Sequence, residues 1–311
     1  MKTKLTIGIL LMIFSYFSYL LPEKLLGTYP VFLLFLIFII GMILICEVIT
    51  MALKKKSLTK EIIKNKMNLV AFLIVSIIGA LMIEMMANYS GKLWYYPKLN
   101  IYLYAILFVP LVTFYWLLIA ESYLATKAVI DYLVKGKKII TAPLSIEGFI
   151  FKFMGMSGMI LLAGTIGFAL ADYVWQGKPF FTPQDIYLVT NHYRINFSTI
   201  MLIFLGVWFT LEYLEYSRKK SSLMKDLLHG YFTPILAIIF GSLLTAILME
   251  TQNIPAQAWI YINWPFAYLR LFSLPLFVYL AWPLHYITFL SLFRFLTSRE
   301  SEEIWRGDLI K

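Results

Sequence analysis

Residues 30–53 read PVFLLFLIFIIGMILICEVITMAL, twenty-four positions with one charged side chain, Glu47, near the end. The run is longer than the roughly 20 residues an α-helix needs to cross the hydrocarbon of a bilayer. Working outward from it, eight comparable segments fall near residues 5–21, 30–53, 68–88, 101–126, 148–173, 195–216, 231–250 and 266–296. Composition agrees. Of 311 residues 61% are hydrophobic and 14% are charged, with a mean hydropathy of +0.79, against about 25% charged in soluble domains. The sequence therefore predicts an all-α, polytopic integral membrane protein of about eight transmembrane helices. Its loops are too short for a sizeable soluble domain, which excludes most soluble enzyme folds.

A net charge of +10 would point to nucleic acid in a soluble protein, but membrane proteins collect Lys and Arg on cytoplasmic loops. No nucleic-acid partner is expected. Lys2 and Lys4, the group from Lys54 to Lys66, then Lys127, Lys135, Lys137 and Lys138, then Arg218 to Lys225, and finally Arg294 to Lys311 fall before the first span and then after every second one, all on one side of the membrane. The opposite loops hold few: Lys24, Lys92, Lys98, Lys178 and, at their edges, Arg194 and Arg270. Both termini should be cytoplasmic in a multi-pass cell-membrane protein, which requires an even number of spans. No small-x-small cleavage site follows the first apolar segment before Pro22-Glu23-Lys24, so it reads as a retained signal anchor. Cys46 is the single cysteine, so no disulfide or thiolate metal cluster can form within the chain.

Sliding the chain against itself by 165 residues superposes Gly41 on Gly206, Glu47 on Glu212, Ser57-Leu58 on Ser222-Leu223, Lys60 on Lys225, Trp94 on Trp259, Tyr96 on Tyr261 and Pro110-Leu111 on Pro275-Leu276. Glu84 and Glu250 match with an offset of 166, and Gly79 and Gly241 with 162. Matches that include rare Trp and Pro indicate duplication. Two units follow: residues 1–140, and residues 141–311 with a short cytoplasmic tail. Each unit has four spans, an even number, so both enter the membrane the same way up and a pseudo-twofold along the membrane normal should relate them.

The loops opposite the lysine clusters are rich in rings, Tyr89, Trp94, Tyr95, Tyr96 and Tyr102 in one and Trp259, Tyr261, Trp264 and Tyr268 in the other, as interfacial anchors are. The fifth segment carries Gly155, Gly158, Gly164 and Gly167, with Ala163, Gly167 and Ala171 on one stripe. Small residues at that spacing predict close helix contact inside the bundle.

The repeated unit runs from a span to a Lys-rich turn, a second span ending near Glu, an aromatic loop, and a third span with an early Pro. In that order it resembles the lycopene cyclase domain of the heterodimeric bacterial type, whose tandem version occurs in fungal bifunctional and archaeal cyclases. The resemblance covers roughly residues 30–126 and 195–296. Glu84 precedes Gly91-Lys92-Leu93-Trp94-Tyr95 and Glu250 precedes Trp259-Ile260-Tyr261, much as an acid precedes a Gly-x-Trp-aromatic loop in the family. The chain departs from the family where its Pro-x-Glu-Glu motif would fall. Leu111-Val112-Thr113 follows Pro110 and Leu276-Phe277-Val278 follows Pro275, without acids in either unit.

The resemblance implies chemistry on a carotenoid or other isoprenoid end group. Such a reaction needs a carboxylic acid to protonate a double bond, ring faces to hold the carbocation and a base to take a proton. It needs neither cofactor nor metal. Glu84 and Glu250 are the catalytic candidates, with Trp94, Tyr96, Trp259 and Tyr261 binding substrate. A Glu in the last turn of a span can also simply reach headgroup water. The missing acids leave open a second reading, a duplicated fold that binds a lipid or pigment without catalysis, or serves with partner subunits in a larger complex. A small-solute permease fits less well, because the spans carry few polar residues.

Other polar residues invite simpler expectations. Glu47 and Glu212 would pair across a helix turn or with Lys54 and Arg218, and Glu121 could join Glu47 in an inner polar cluster. Asp172 could reach the level of Glu84 and Glu250. His192, His229 and His285 fall in different segments, unsuited to a bis-His haem, and no zinc or nucleotide motif occurs. Asn88-Tyr89-Ser90 fits a glycosylation sequon.

Overall fold

The computed structural model describes residues 1–19, 21, 31–54, 57–99, 101–134, 145–178 and 193–297. Lys24, Lys135, Lys137, Lys138, His192 and the basic tail from Arg299 lie outside the described residues. The long helices are α1 (Lys2–Ser18), α2 (Val31–Lys54), α4 (Lys66–Ile83) with its π-helical extension (Glu84–Ser90), α5 (Ile101–Leu133), α6 (Glu147–Gln176), α7 (Phe197–Ser217), α9 (Thr233–Ala256) and α10 (Leu276–Leu296). Two short helices, α3 (Leu58–Lys64) and α8 (Leu223–Leu228), follow α2 and α7. The protein is an all-α polytopic membrane protein. Seven helices among the described residues are long and apolar enough to cross a bilayer.

The eighth expected segment is α1, shorter at 17 residues, or about 26 Å at 1.5 Å per residue. It runs antiparallel along α2. Lys4 Nζ meets Glu47 Oε2 at 2.9 Å at one end, Ser15 donates to the Leu34 carbonyl at 2.7 Å, and Tyr19 donates to the Val31 carbonyl at the other end. Gly8 and Gly41 make this possible, since a Cβ on either would lie within 3 Å of the other's carbonyl oxygen. The last expected segment, 266–296, begins ten residues late. Before α10 the chain turns and forms a two-stranded hairpin, β3 (Arg270–Leu271) and β4 (Leu274–Pro275), and Pro275 stands at the helix N-cap, where its missing N–H costs nothing.

Capping residues set the short helices. Ser57 accepts from the Lys60 N–H and Ser222 from the Lys225 N–H, so the same cap opens both. Packing is also paired. α1 lies on α2 and α6 on α7; α2 contacts α5 and α7 contacts α10; α4 packs on α10 while α9 packs on α5. The third long helix of one half thus lies against the fourth of the other. The main core brings Phe72, Trp116, Tyr123, Ile238, Tyr286 and Phe289 together from both halves.

One expectation about packing is overturned. α6 sits at the edge of the bundle, held mainly by α7. Its close contact uses Gly155 against Tyr213 and Gly158 against Thr210 and Gly206. Gly164 and Gly167 face open space, and the Ala163, Gly167, Ala171 stripe is exposed. Small residues allow close approach, but two separate surfaces of α6 carry them and only one meets a neighbour.

The lysine-rich end holds two buried polar clusters. In the first, Glu47 binds Lys4 and Ser57, while Glu121 beside it accepts from Thr59 Oγ1 at 3.1 Å. In the second, Arg294 grips Glu215 with two guanidinium nitrogens, and Lys220 Nζ donates to the carbonyls of Arg294, Phe295 and Thr297 that end α10. Glu212 accepts from the Trp208 indole and the Met224 N–H. Arg218, expected to pair with Glu212, lies instead over the Phe295 ring at 4.0 Å. Helix periodicity near the boundary proposed charged partners close in sequence; the charged partners, Lys4 for Glu47 and Arg294 for Glu215, come from other helices.

Candidate functional site

The opposite, aromatic end is built by two loops that clasp one another. β1 (Trp94–Tyr95) and β2 (Ile260–Tyr261) pair antiparallel, with Trp94 opposite Tyr261 and Tyr95 opposite Ile260. Asn263 donates to the Lys92 carbonyl at 2.7 Å, and the Trp264 indole to the Leu93 carbonyl at 2.8 Å. Gly91 starts the first loop at a close approach, where a Cβ would stand 2.5 Å from Ile200 Cδ1 and 2.9 Å from the Ala87 carbonyl oxygen.

Beneath the clasp lies a cavity of about 260 Å³ whose wall is almost entirely aromatic and aliphatic. Glu84, Trp94, Tyr96, Trp259 and Tyr261 all stand on that wall, so five of the six expected site residues meet at one place although they lie up to 177 positions apart. Glu84 occupies the first turn of the π-helix. Its Oε1 accepts from the Tyr96 hydroxyl at 2.6 Å and its Oε2 from the Asn88 amide at 2.8 Å. Burial first, and then the Glu84 carboxylate, hold the Tyr96 phenol well above its ordinary range, which keeps it a donor. Phe32 and Tyr104 flank Tyr96, with ring centroids 5.9 Å and 6.1 Å away.

Glu250 is set differently. It is buried next to Met249, which is on the wall, but does not itself line the cavity. It accepts from Asn253 Nδ2 at 3.3 Å, and Trp259 and Tyr261 lie against its carboxyl. Asn253 also fixes Trp259, accepting from its N–H at 3.1 Å and donating to its carbonyl at 3.0 Å. The Glu-Asn-Tyr arrangement of Glu84, Asn88 and Tyr96 thus recurs as Glu250, Asn253 and Tyr261, and the Phe35 ring lies against Trp259, tilted by 47° with centroids 4.8 Å apart.

Several residues in and around the wall were not among the expected site residues. Tyr115 and His285 meet at 2.8 Å, and Trp282 stands beside them. Both Asn88 and Asn253 look like ordinary loop-proximal polar residues until the structure places them on the two carboxyls. Asn88 is 1% exposed, so the sequon it heads is closed to glycosylation. Asp172, on the peripheral helix α6, lies at the same end of the bundle but off the cavity wall: it accepts from Gln176 and from Tyr193, which stands just before the Ile195 that bonds the Ser90 carbonyl. His229 binds Glu147 at 3.0 Å, whereas His285 bonds Tyr115. Among the described residues no three His, Cys, Asp or Glu side chains are grouped to hold a metal ion.

No protein-family model matches the chain, and neither a curated protein nor a solved structure matches it.

Proposed function

We propose that the protein draws the end group of a carotenoid or other isoprenoid from the bilayer into this cavity and acts on it by cofactor-free acid-base chemistry at Glu84, as the resemblance to lycopene cyclases implies. The carrying observation is a carboxyl on the wall of an apolar, aromatic cavity, held by Tyr96 and Asn88. In such a cyclisation a protonated carboxyl gives its proton to a terminal C=C. A second C=C of the same chain attacks the resulting tertiary cation, closing a C–C bond, and a base removes one proton from the adjacent carbon. Atoms and electrons balance without an oxidant. Ring faces at cation-contact distance would each contribute about 0.5–2 kcal/mol to the cation, the role given to Trp94, Tyr96, Trp259 and Tyr261. Glu250 acts through Trp259 and Tyr261, as a positioning residue.

In this reading the chain is two parallel four-helix repeats, residues 1–140 and 141–311, in the cell membrane with both termini cytoplasmic. Support comes from the paired helix contacts, the twin serine caps, and a β1–β2 register that exchanging Trp94 with Trp259 and Tyr96 with Tyr261 leaves unchanged. The orientation follows from the lysine-rich end, where Lys4 and Arg294 both lie near the described chain ends.

A second reading, lipid or pigment binding without catalysis, alone or with partner subunits, is favoured by one observation. Val112 and Val278 line the cavity at positions where the family's Pro-x-Glu-Glu motif would put acids. Mass spectrometry of organic extracts from purified protein, against extracts of the same membranes, tests both. Enrichment of an isoprenoid whose structure changes in the host when Glu84→Gln is introduced supports catalysis. Enrichment that is indifferent to Glu84→Gln leaves binding alone, and recovery of bulk phospholipid only rejects the isoprenoid.

A further inference from the structure

The cavity wall also carries a polar pair that the acid-base reading does not use. His285 is the tenth residue of α10, about 14 Å along the helix from its start at 1.5 Å per residue, and so near mid-bilayer in a hydrocarbon layer of about 30 Å. Tyr115 faces it from α5. The phenol oxygen lies 2.8 Å from His285 Nε2, and the two rings are almost parallel, 10° apart at 6.0 Å. Trp116, Trp282 and Tyr286 enclose the imidazole edge-on at 5.8, 5.1 and 5.4 Å. Tyr115 and His285 both line the cavity, and neither is fully buried.

Their mutual hydrogen bond does not exhaust them. Whichever atom donates, the phenol oxygen keeps a lone pair, and the imidazole keeps a second nitrogen. Ionisable and polar groups at such depth are costly and are kept where they meet a partner. A pure hydrocarbon laid against this pair would cover polar atoms and return no hydrogen bond, whereas a ligand oxygen would return one. The rest of the wall, Phe35, Leu111, Phe204 and Trp282 among it, suits a hydrocarbon chain.

We infer that the cavity's ligand is an isoprenoid carrying one oxygen function, a hydroxyl or carbonyl, on the end that reaches Tyr115 and His285, with its chain lying along the aromatic wall toward Glu84. The inference rests on the isoprenoid reading of the cavity and is independent of catalysis at Glu84.

The test uses the full chain in mild detergent with two probes, geranylgeraniol and the same hydrocarbon with hydrogen in place of the hydroxyl, followed by the change in tryptophan emission from the cavity wall as bound water and detergent are displaced. The alcohol should bind about tenfold or more tightly than the hydrocarbon, the scale of one hydrogen bond made or left unmade in an apolar site. Tyr115→Phe with His285→Phe should bring the ratio close to one while the hydrocarbon affinity stays, which shows that the cavity is intact. Equal affinities in the unaltered protein, a measurement that needs no variant, overturn the inference and leave the isoprenoid reading standing. So does a preference that survives in a folded double variant. Binding of neither probe overturns both.

Discussion

The Tyr96 hydroxyl donates to Glu84 Oε1 at 2.6 Å, tying the first aromatic loop to the carboxyl at the end of the helix before it. Tyr96→Phe keeps the ring against Phe32 and Tyr104 and removes this bond together with the one between the phenol oxygen and the Trp94 side chain. The expected loss is about 1–3 kcal/mol, the cost of leaving a buried acceptor without its partner, read as a lower unfolding temperature in detergent. With Glu84→Gln added, the two losses should sum to more than the double variant shows. Additive losses would mean that the two groups do not interact.

Three phenols outside the spans define an alkaline boundary. Burial and then a neighbouring carboxylate hold Tyr96 and Tyr261 well above the ordinary range, and burial followed by Asp172 pushes Tyr193 up to about 12. A group whose folded pKa lies above its unfolded value contributes stability in full below the unfolded value, about 10, and loses it as pH rises through the folded one. Stability should therefore fall as pH climbs from about 10 toward 12. The phenolate absorbance of the unaltered protein minus that of Tyr193→Phe should rise with a midpoint near 12; a midpoint near 10 contradicts the assignment.

Two glycines of α6 should respond oppositely to one added methyl group. A Cβ on Gly158 would stand 2.6 Å from Thr210 Oγ1 and 2.7 Å from the Thr210 nitrogen, whereas one on Gly164 meets nothing within 4 Å. Gly158→Ala should lower stability by about 1–3 kcal/mol through overpacking. Gly164→Ala should be neutral or slightly stabilising, since alanine is the better helix former. Thermal unfolding of the two variants side by side decides; equal losses would place α6 differently in the bundle.

The Arg294–Glu215 pair at the lysine-rich end gives a third contrast. Both side chains are buried, at 4% and 0% exposure. Arg294→Met leaves a carboxylate without its main counter-charge, and the expected cost is about 3–5 kcal/mol. Replacing both, Arg294→Met with Glu215→Leu, should recover most of that. A double variant as unstable as the single one would show that the pair contributes net stability.

Much of the bundle was legible because apolar length and the positions of lysine are strong, local signals. The aromatic loops and Glu84 were legible for the same reason, as rare residues at element ends. The offset of 166 at Glu84, against 165 at the aromatic loop that follows it, has a structural account. Asn88 lies four residues after Glu84 and Asn253 three after Glu250, and the π-helix from Glu84 to Ser90 accommodates the extra residue. His285 and Tyr115 were illegible as a pair, since only the meeting of α5 with α10 makes them neighbours across 170 positions. The stripe of α6 misled because spacing shows that a helix can pack closely but not on which side its neighbour stands. Glu250 was legible as a residue and not as a position: the sequence cannot tell the front of a wall from the layer behind it.

The clasp of Trp94 and Tyr95 with Ile260 and Tyr261 also orders events during synthesis. A ribosome delivers Glu84 and the first ring cluster to the membrane long before residues 259–264 emerge. Until then the first ring cluster has no second loop to pair with, and the chamber is complete only when the last long helix, bearing His285, is in place, so a chain cut short before α10 would lack it.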